Sequence, residues 1–80
     1  MTNGTNKIYQ AVTNSLEQYY RDLDGDKPTN LYEQVLDLVE KPMLEFILGQ
    51  CNNNQSQASI QLGINRNTLR KKMLRHQLLR

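Results

Sequence analysis

The sequence has little of the chemistry from which small proteins build cross-links, metal sites or catalytic centres. Its 80 residues include one cysteine, Cys51, and one histidine, His76, which excludes an intramolecular disulfide and a four-ligand zinc site. A paired acid and base in a catalytic arrangement and a glycine-rich loop for phosphate are also lacking. The sequence therefore predicts a protein that is not an enzyme and that needs no cofactor and no metal.

Long apolar runs are lacking as well. No segment approaches the roughly 18 to 20 apolar residues that span a membrane. The N-terminal stretch MTNGTNK lacks the basic and then apolar order of a signal peptide. Together with the unpaired Cys51, these features predict a cytoplasmic protein without a membrane or small-molecule partner.

Acidic residues stop at Glu45, so the charge of the chain is divided. Residues 1–45 carry eight Asp and Glu against four Lys and Arg, a net charge of −4. Residues 46–80 carry six Lys and Arg and no acid, a net charge of +6, although the whole chain has only +2. A dipolar chain of this kind points one end at a polyanion. We expect the acidic half to face away from that partner.

Apolar residues recur with helical spacing in the first half of the chain. A first helix is predicted from about residue 7 to 23, and a loop of Asp, Gly and Pro follows at residues 24–29. A second helix is predicted for residues 31–50, apolar on about half its surface before Pro42 and on nearly all of it afterwards. Pro42 should kink this helix rather than end it, because the apolar run continues to Gly49.

A helix this widely apolar has to be covered on two sides, by its own subunit and by a second one. A chain of 80 residues also has too little interior for a large core of its own. The sequence thus predicts an all-α homodimer. The residues expected in its interface are Leu31, Val35, Leu38, Val39, Met43, Phe46 and Ile47.

Residues 55–76 have the layout of a helix-turn-helix. A short helix is predicted at about residues 55–62, a turn at Gly63 and Ile64, and a second helix at about residues 65–76. Gly63 suits the turn, because helices often stop on a residue with positive φ. Ala58 is small enough for close packing. The apolar contacts between the two helices are expected from Ile60, Leu62, Ile64, Leu69 and Met73.

The polar residues of the second of these helices include several cations and no acid. In a helix-turn-helix the first residues of the second helix reach base edges in the major groove. Asn65 and Arg66 are therefore candidates for base contacts, since Arg bonds guanine and Asn bonds adenine through two hydrogen bonds. The candidates for phosphate contacts are Asn54, Ser56, Thr68, Arg70, Lys71 and Lys72.

The motif GINRNTLRKKM and the preceding NNQSQAS resemble the C-terminal part of the bacterial Fis family of nucleoid-associated, DNA-bending proteins. The resemblance continues through LYEQVLDLVEKPMLEFIL and covers about residues 8–76. It implies four-helix subunits in an intertwined homodimer, joined through helices 1 and 2, whose paired recognition helices bend double-stranded DNA. The DNA-contacting positions of the family fall on the eight candidates just named. RNA polymerase or a recombinase is implied as a further partner.

The resemblance divides the chain into a dimerisation region, residues 1–51, and a DNA-binding region, residues 52–80, within a single folded unit. Some positions depart from the best-known members. Asn52, Asn53 and Gln57 stand where those have basic residues and a glycine, and Leu74 where they have lysine, which bears on contacts to flanking DNA. MTNGTNK also has no counterpart of their invertase-activating β-hairpin arm, so that activity is not expected.

Two alternatives stay open. A similar helix-turn-helix forms the C-terminal DNA-binding module of NtrC-type enhancer-binding activators, although this chain begins with Met and contains a four-helix dimerisation unit. A regulatory module could bind an acidic protein through the basic helix. A solvated cationic face without any ligand is disfavoured, because the turn glycine, the Asn–Arg start and the one-signed charge occur together.

Overall fold

The computed structural model describes the backbone of residues 3–79 and the side chains of residues 6–79. Across these residues it contains four α-helices and no strand: α1 (Asn3–Leu23), α2 (Leu31–Gln50), α3 (Gln55–Leu62) and α4 (Arg66–Arg75). The all-α class and the C-terminal helix-turn-helix are confirmed. Residues 1, 2 and 80 of the two predicted regions lie outside the described residues.

Helix boundaries differ from the sequence-based ones at two places. Helix α1 begins at Asn3, earlier than the predicted start at about residue 7. Helix α4 begins at Arg66 because Asn65 has an extended backbone, with φ −66° and ψ 145°, and caps the helix from outside. Helix α2 continues through Pro42 to Gln50, as predicted, while the kink at Pro42 stays a prediction.

Two compact units divide the chain between Asn30 and Leu31. The first contains α1 and the loop that follows it. In α1, the side chains of Val12, Leu16 and Tyr19 are half-buried, and Gln10 and Gln18 each bond the residue one turn later, Asn14 and Asp22. Such pairs support a helix by a few tenths of a kcal/mol, about 0.2–0.5 each.

The second unit contains α2, α3 and α4. Helix α3 packs against both α2 and α4. The sequence-based division instead places α2 with α1. That division and the single folded unit concern function and assembly, so they stay predictions.

The core of the second unit lies where the three helices meet. Its buried residues are Leu44, Leu48, Cys51, Ala58, Leu69 and Met73. Leu62 and Ile64 pack against this core as expected, but the contact expected from Ile60 is wrong, because its side chain is 77% exposed. Helix α3 turns Ala58 and Ser59 inward, and a residue two positions after Ala58 lies nearly on the opposite side of the helix.

The turn of the helix-turn-helix is built on Gly63, as predicted. Its φ of 75° and ψ of 28° are left-handed, a conformation in which a Cβ costs roughly 1–2 kcal/mol. The N–H of Gly63 donates to the carbonyls of Ser59 and Ile60, at 2.9 and 3.1 Å, and the N–H of Ile64 donates to that of Ser59 at 3.1 Å. These bonds satisfy the last carbonyls of α3 and aim the chain into α4.

The connection from α2 to α3 uses two asparagines with positive φ, Asn52 at 53° and Asn53 at 64°. Asparagine tolerates this region better than most residues. The N–H of Asn53 donates to the carbonyl of Leu48 at 2.8 Å, which closes the end of α2. A membrane span would require a longer or more apolar helix than any found in the part of the chain that the structure describes.

Candidate nucleic-acid interface

Asn65 caps α4 and is also a candidate for base contact. It is the N-cap of α4, and its Oδ1 accepts a hydrogen bond of 2.7 Å from the N–H of Asn67. Such a cap satisfies one of the free N–H groups at the helix start and is worth about 1 kcal/mol. The amide nitrogen is left to donate elsewhere, and the side chain is exposed. The candidate base contact of Asn65 is therefore available at least as a donor.

Arg66, the first residue of α4, is exposed and held against α3. Its Nη1 donates to the hydroxyl oxygen of Ser56 over 3.2 Å. Ser56 lies in the first turn of α3. A candidate base contact and a candidate phosphate contact are thus brought together across the turn.

The start of α3 repeats the capping of α4. Asn54 is its N-cap, with φ −78° and ψ 103°, and its Oδ1 accepts from the N–H of Gln57 at 3.1 Å. Free backbone N–H groups at a helix start favour an anion. Asn54 and Ser56 are exposed there, which suits the phosphate contacts predicted for them.

Thr68, Arg70 and Lys71 are exposed on α4. Arg66 and Arg70 are four residues apart and so lie along the same side of the helix. No carboxylate of residues 6–79 comes within ion-pair distance of Arg66, Arg70 or Lys71. Three cations of α4 are thus open to solvent and to an anionic partner.

Lys72 differs from the other candidates for phosphate contact. Its Nζ lies 2.6 Å from Oε2 of Glu40, a residue of α2, and both side chains are partly buried. In this arrangement the ammonium already has an anionic partner inside the protein. The phosphate contact predicted for Lys72 stays a prediction.

Glu40 also bonds His76, which follows α4. Nε2 of His76 lies 2.8 Å from Oε1 of Glu40, and His76 is only 8% exposed. One turn earlier on α2, Asp37 accepts two bonds from Arg75, from Nε at 2.8 Å and from Nη2 at 3.0 Å. We call these five residues, Asp37, Glu40, Lys72, Arg75 and His76, the α2–α4 ion-pair network.

The network brings two residues of the acidic half against the basic helix, and the expectation that this half faces away from the polyanion stays a prediction. Asp37 and Glu40 belong to the acidic half and lie directly against α4. Neither acid, nor His76, was singled out from the sequence. Their spacing carries a signal, since residues three or four apart share a side of a helix. The sequence does not show which sides of α2 and α4 face each other, and the structure does.

Both carboxyl groups of the network are ionised at neutral pH. Burial raises the pKa of Glu40, but the hydrogen bonds from Lys72 and His76 outweigh burial and hold that pKa below its ordinary value. The hydrogen bonds from Arg75 lower the pKa of Asp37, and Asp37 in turn raises the pKa of Arg75. Because the Glu40 carboxylate has no proton to give, Nε2 of His76 is the donor in their bond.

The network also places three potential metal ligands close together. Donor atoms of Asp37, Glu40 and His76 lie within 4.8 Å of one another. Both carboxylates are already paired with Lys72 and Arg75, so a divalent cation there would be next to two positive charges. The arrangement fits an ion-pair network better than a metal site.

The comparisons with known proteins agree with this architecture. Residues 35–76 match the family described as bacterial regulatory protein, Fis family. A protein of Neisseria meningitidis named as Fis-like and DNA-binding is 53% identical over 72 residues, 90% of this chain and 91% of that protein. A protein of Ralstonia nicotianae with the same name is 53% identical over 74 residues, 92% and 96% of the two chains. The DNA-binding protein Fis of Actinobacillus succinogenes is 44% identical over 73 residues, 90% of this chain and 74% of that protein.

Proposed function

This chain belongs to the bacterial Fis family of regulatory proteins, and we propose from that membership that it binds and bends duplex DNA as a homodimer. In this role it acts in the cytoplasm as a nucleoid-associated protein and transcriptional regulator. The proposal makes it a binding protein rather than an enzyme. RNA polymerase or a recombinase, implied by the resemblance as a partner of the DNA-bound dimer, stays a prediction.

The observation that carries the proposal is the exposed start of α4. Arg66, Arg70 and Lys71 are exposed there without a carboxylate within ion-pair distance among the described side chains. A phosphate backbone is the polyanion that such a helix meets when it enters a major groove. Asn65 and Arg66 then read bases near the ends of the site.

Phosphate contacts surround these two residues. We assign them to Asn54, Ser56, Thr68, Arg70 and Lys71, all of which are exposed. The cap bonds of Asn54 and the Ser56–Arg66 bond hold donors of both helices in fixed positions. Contacts of this kind set the position of the protein on the duplex, whereas base contacts select sequence.

Dimerisation through α1 and α2 accounts for the exposed apolar residues of α2. Four residues predicted for the interface are exposed within the single chain, as a residue covered only by a second subunit would be: Leu38, Val39, Met43 and Phe46. Leu31, Val35 and Ile47 are half-buried. Contiguous apolar surface of this kind is uncommon on a monomer in water, and a second subunit would cover it.

Bending follows when two recognition helices must fit one face of a duplex. Adjacent major grooves are roughly 34 Å apart in straight DNA, and a dimer with a different spacing binds only DNA that deforms. Few base contacts and many phosphate contacts then leave much of the selectivity to the sequence-dependent cost of deformation.

A gel-shift titration on circularly permuted duplexes, repeated across salt concentrations, tests this function. We expect mobility that depends on where the site lies in the duplex, and affinity that falls steeply with salt. A variant with Arg70→Gln and Lys71→Gln, checked for its helical content, is the control and should bind much more weakly. A wild-type protein that shifts no duplex at low salt would overturn the proposal and favour the module that binds an acidic protein.

A further inference from the structure

The cations of α4 differ in whether they have a carboxylate partner within the protein. Lys72 and Arg75 are turned toward α2, where each meets a carboxylate. Arg66, Arg70 and Lys71 are exposed without one among the described side chains. Since successive residues turn by about 100° around a helix, Lys71 and Lys72 can have different partners although they are neighbours in sequence.

Glu40 is placed to keep Lys72 where it is. One carboxylate oxygen bonds Lys72 at 2.6 Å, and the other bonds the buried His76 at 2.8 Å. His76 thereby fixes the orientation of the carboxylate, because its ring is held in the protein interior. Asp37 takes both of its bonds from Arg75 in the forked geometry that suits a guanidinium.

We propose that Asp37 and Glu40 serve as internal counter-anions that hold Arg75 and Lys72 away from DNA phosphates. The inference rests on the proposed DNA binding and deepens it. In this arrangement Arg66, Arg70 and Lys71 are left for the duplex, whereas Lys72 and Arg75 are neutralised by carboxylates of α2. Glu40 and Asp37 are therefore positioning residues for recognition, although neither contacts DNA.

The consequence is a weaker sequence-independent attraction to DNA. Each cation that meets a phosphate strengthens binding to every sequence alike, and it steepens the dependence of affinity on salt. Two internal pairs per subunit remove that many sequence-independent contacts while the base contacts of Asn65 and Arg66 are unaffected. The acids thus lower the affinity for every duplex and make it depend less steeply on salt.

A purely structural role for the same pairs predicts the opposite result. If the carboxylates only stabilised the packing of α4 on α2, their removal would loosen the recognition helix and weaken binding to DNA. If they withhold cations, their removal strengthens non-specific binding. The direction of the change separates the two roles.

The first test compares Glu40→Gln with Glu45→Gln on duplex DNA without a preferred site, at salt concentrations from 50 to 200 mM. Both variants lose one negative charge from α2, but Glu45 is exposed and has no ion pair among residues 6–79. For Glu40→Gln we expect a salt slope steeper by about 0.9 per subunit, because Lys72 becomes free for phosphate. Equal slopes for the two variants would overturn the proposal.

The second test needs no change at Glu40 and decides the matter if that variant does not fold. Lys72→Met should leave the salt slope of the wild-type protein unchanged, whereas Lys71→Met should make it shallower by about 0.9 per subunit. A loss of slope in Lys72→Met equal to that in Lys71→Met would show that Lys72 already contacts phosphate, and it would overturn the proposal.

Elution from heparin, a polyanion that is not DNA, separates failure of this inference from failure of the proposed function. Later elution of Glu40→Gln than of Glu45→Gln supports the internal counter-anions even if the wild-type protein shifts no duplex. Equal elution, with wild-type DNA binding intact, removes the counter-anions and leaves DNA binding standing.

Discussion

The hydroxyl oxygen of Ser56 accepts a hydrogen bond from Arg66 across the turn of the helix-turn-helix, over 3.2 Å. The hydroxyl hydrogen of Ser56 is not used in this bond and can donate to a phosphate. One residue can therefore hold both the guanidinium and the DNA backbone. This contact would align the side chain that we propose to read a base with the strand that carries it.

Arg66→Ala should cost about 1–3 kcal/mol on preferred sites and relax selectivity at one base pair per half-site. Ser56→Ala should affect the same base pair less strongly, because it frees the guanidinium without removing it. A binding selection followed by titration on the selected sites measures both effects. An unchanged sequence preference in Arg66→Ala would show that Arg66 reads no base.

The N-cap role of Asn65 and the base contact proposed for it can be separated by substitution. Asn65→Ala removes the cap bond to Asn67 and should cost about 1 kcal/mol of stability in addition to DNA selectivity. Asn65→Ser keeps a capping oxygen, so it should retain stability in urea unfolding and still lose selectivity. Full selectivity in the folded Asn65→Ser variant would contradict the base contact.

Local features of the fold were predictable from the sequence. Gly63 ends α3 with positive φ, and the spacing of apolar residues predicted the bounds of α2. Both features depend on residues close together in the chain. The predicted start of α4, at about residue 65, was one residue too early, because the sequence does not distinguish an N-cap asparagine from the first residue of the helix. Local signals of this kind also located the exposed candidates Arg66, Arg70 and Lys71.

Features that depend on which helix sides meet were not predictable. Ile60 is as apolar as its neighbours, yet it is exposed because Ala58 and Ser59 take the inward positions. In the sequence Lys72 is not distinguished from the other cations of α4, and its pairing with Glu40 of α2 is seen only in the structure. The partners Glu40 and His76 are 36 residues apart in sequence, and no local pattern pairs them.

The pKa of Glu40 makes the stability of the second unit depend on pH in one direction. Because the pKa is lowered in the folded protein, the carboxylate stabilises the fold above its unfolded pKa of about 4.3. That contribution is lost as the pH falls through the folded value. Urea unfolding from pH 7 to pH 3 should show the loss in the wild-type protein and in Glu45→Gln. A loss of the same size in Glu40→Gln would exclude Glu40 as its source.

The dimer interface can be tested with two residues that are equally exposed in the single chain. Leu38 in α2 is 75% exposed and is predicted to lie in the interface, whereas Ile60 in α3 is 77% exposed and is not. A glutamate at an apolar interface loses its water without gaining a partner, which costs at least about 2 kcal/mol for each of the two copies. Leu38→Glu should therefore raise the dimer dissociation constant by about a thousandfold.

Sedimentation equilibrium over a range of protein concentrations measures this constant. Ile60→Glu introduces the same charge and should leave it unchanged, which makes it the matched control. The monomeric Leu38→Glu protein should keep its helix-turn-helix, because the core around Leu69 does not include Leu38. It should also bind duplex DNA with a salt slope about half that of the dimer, since it offers one set of cations rather than two. If both variants stay dimeric, the interface does not include Leu38 and the pairing proposed for α2 is wrong.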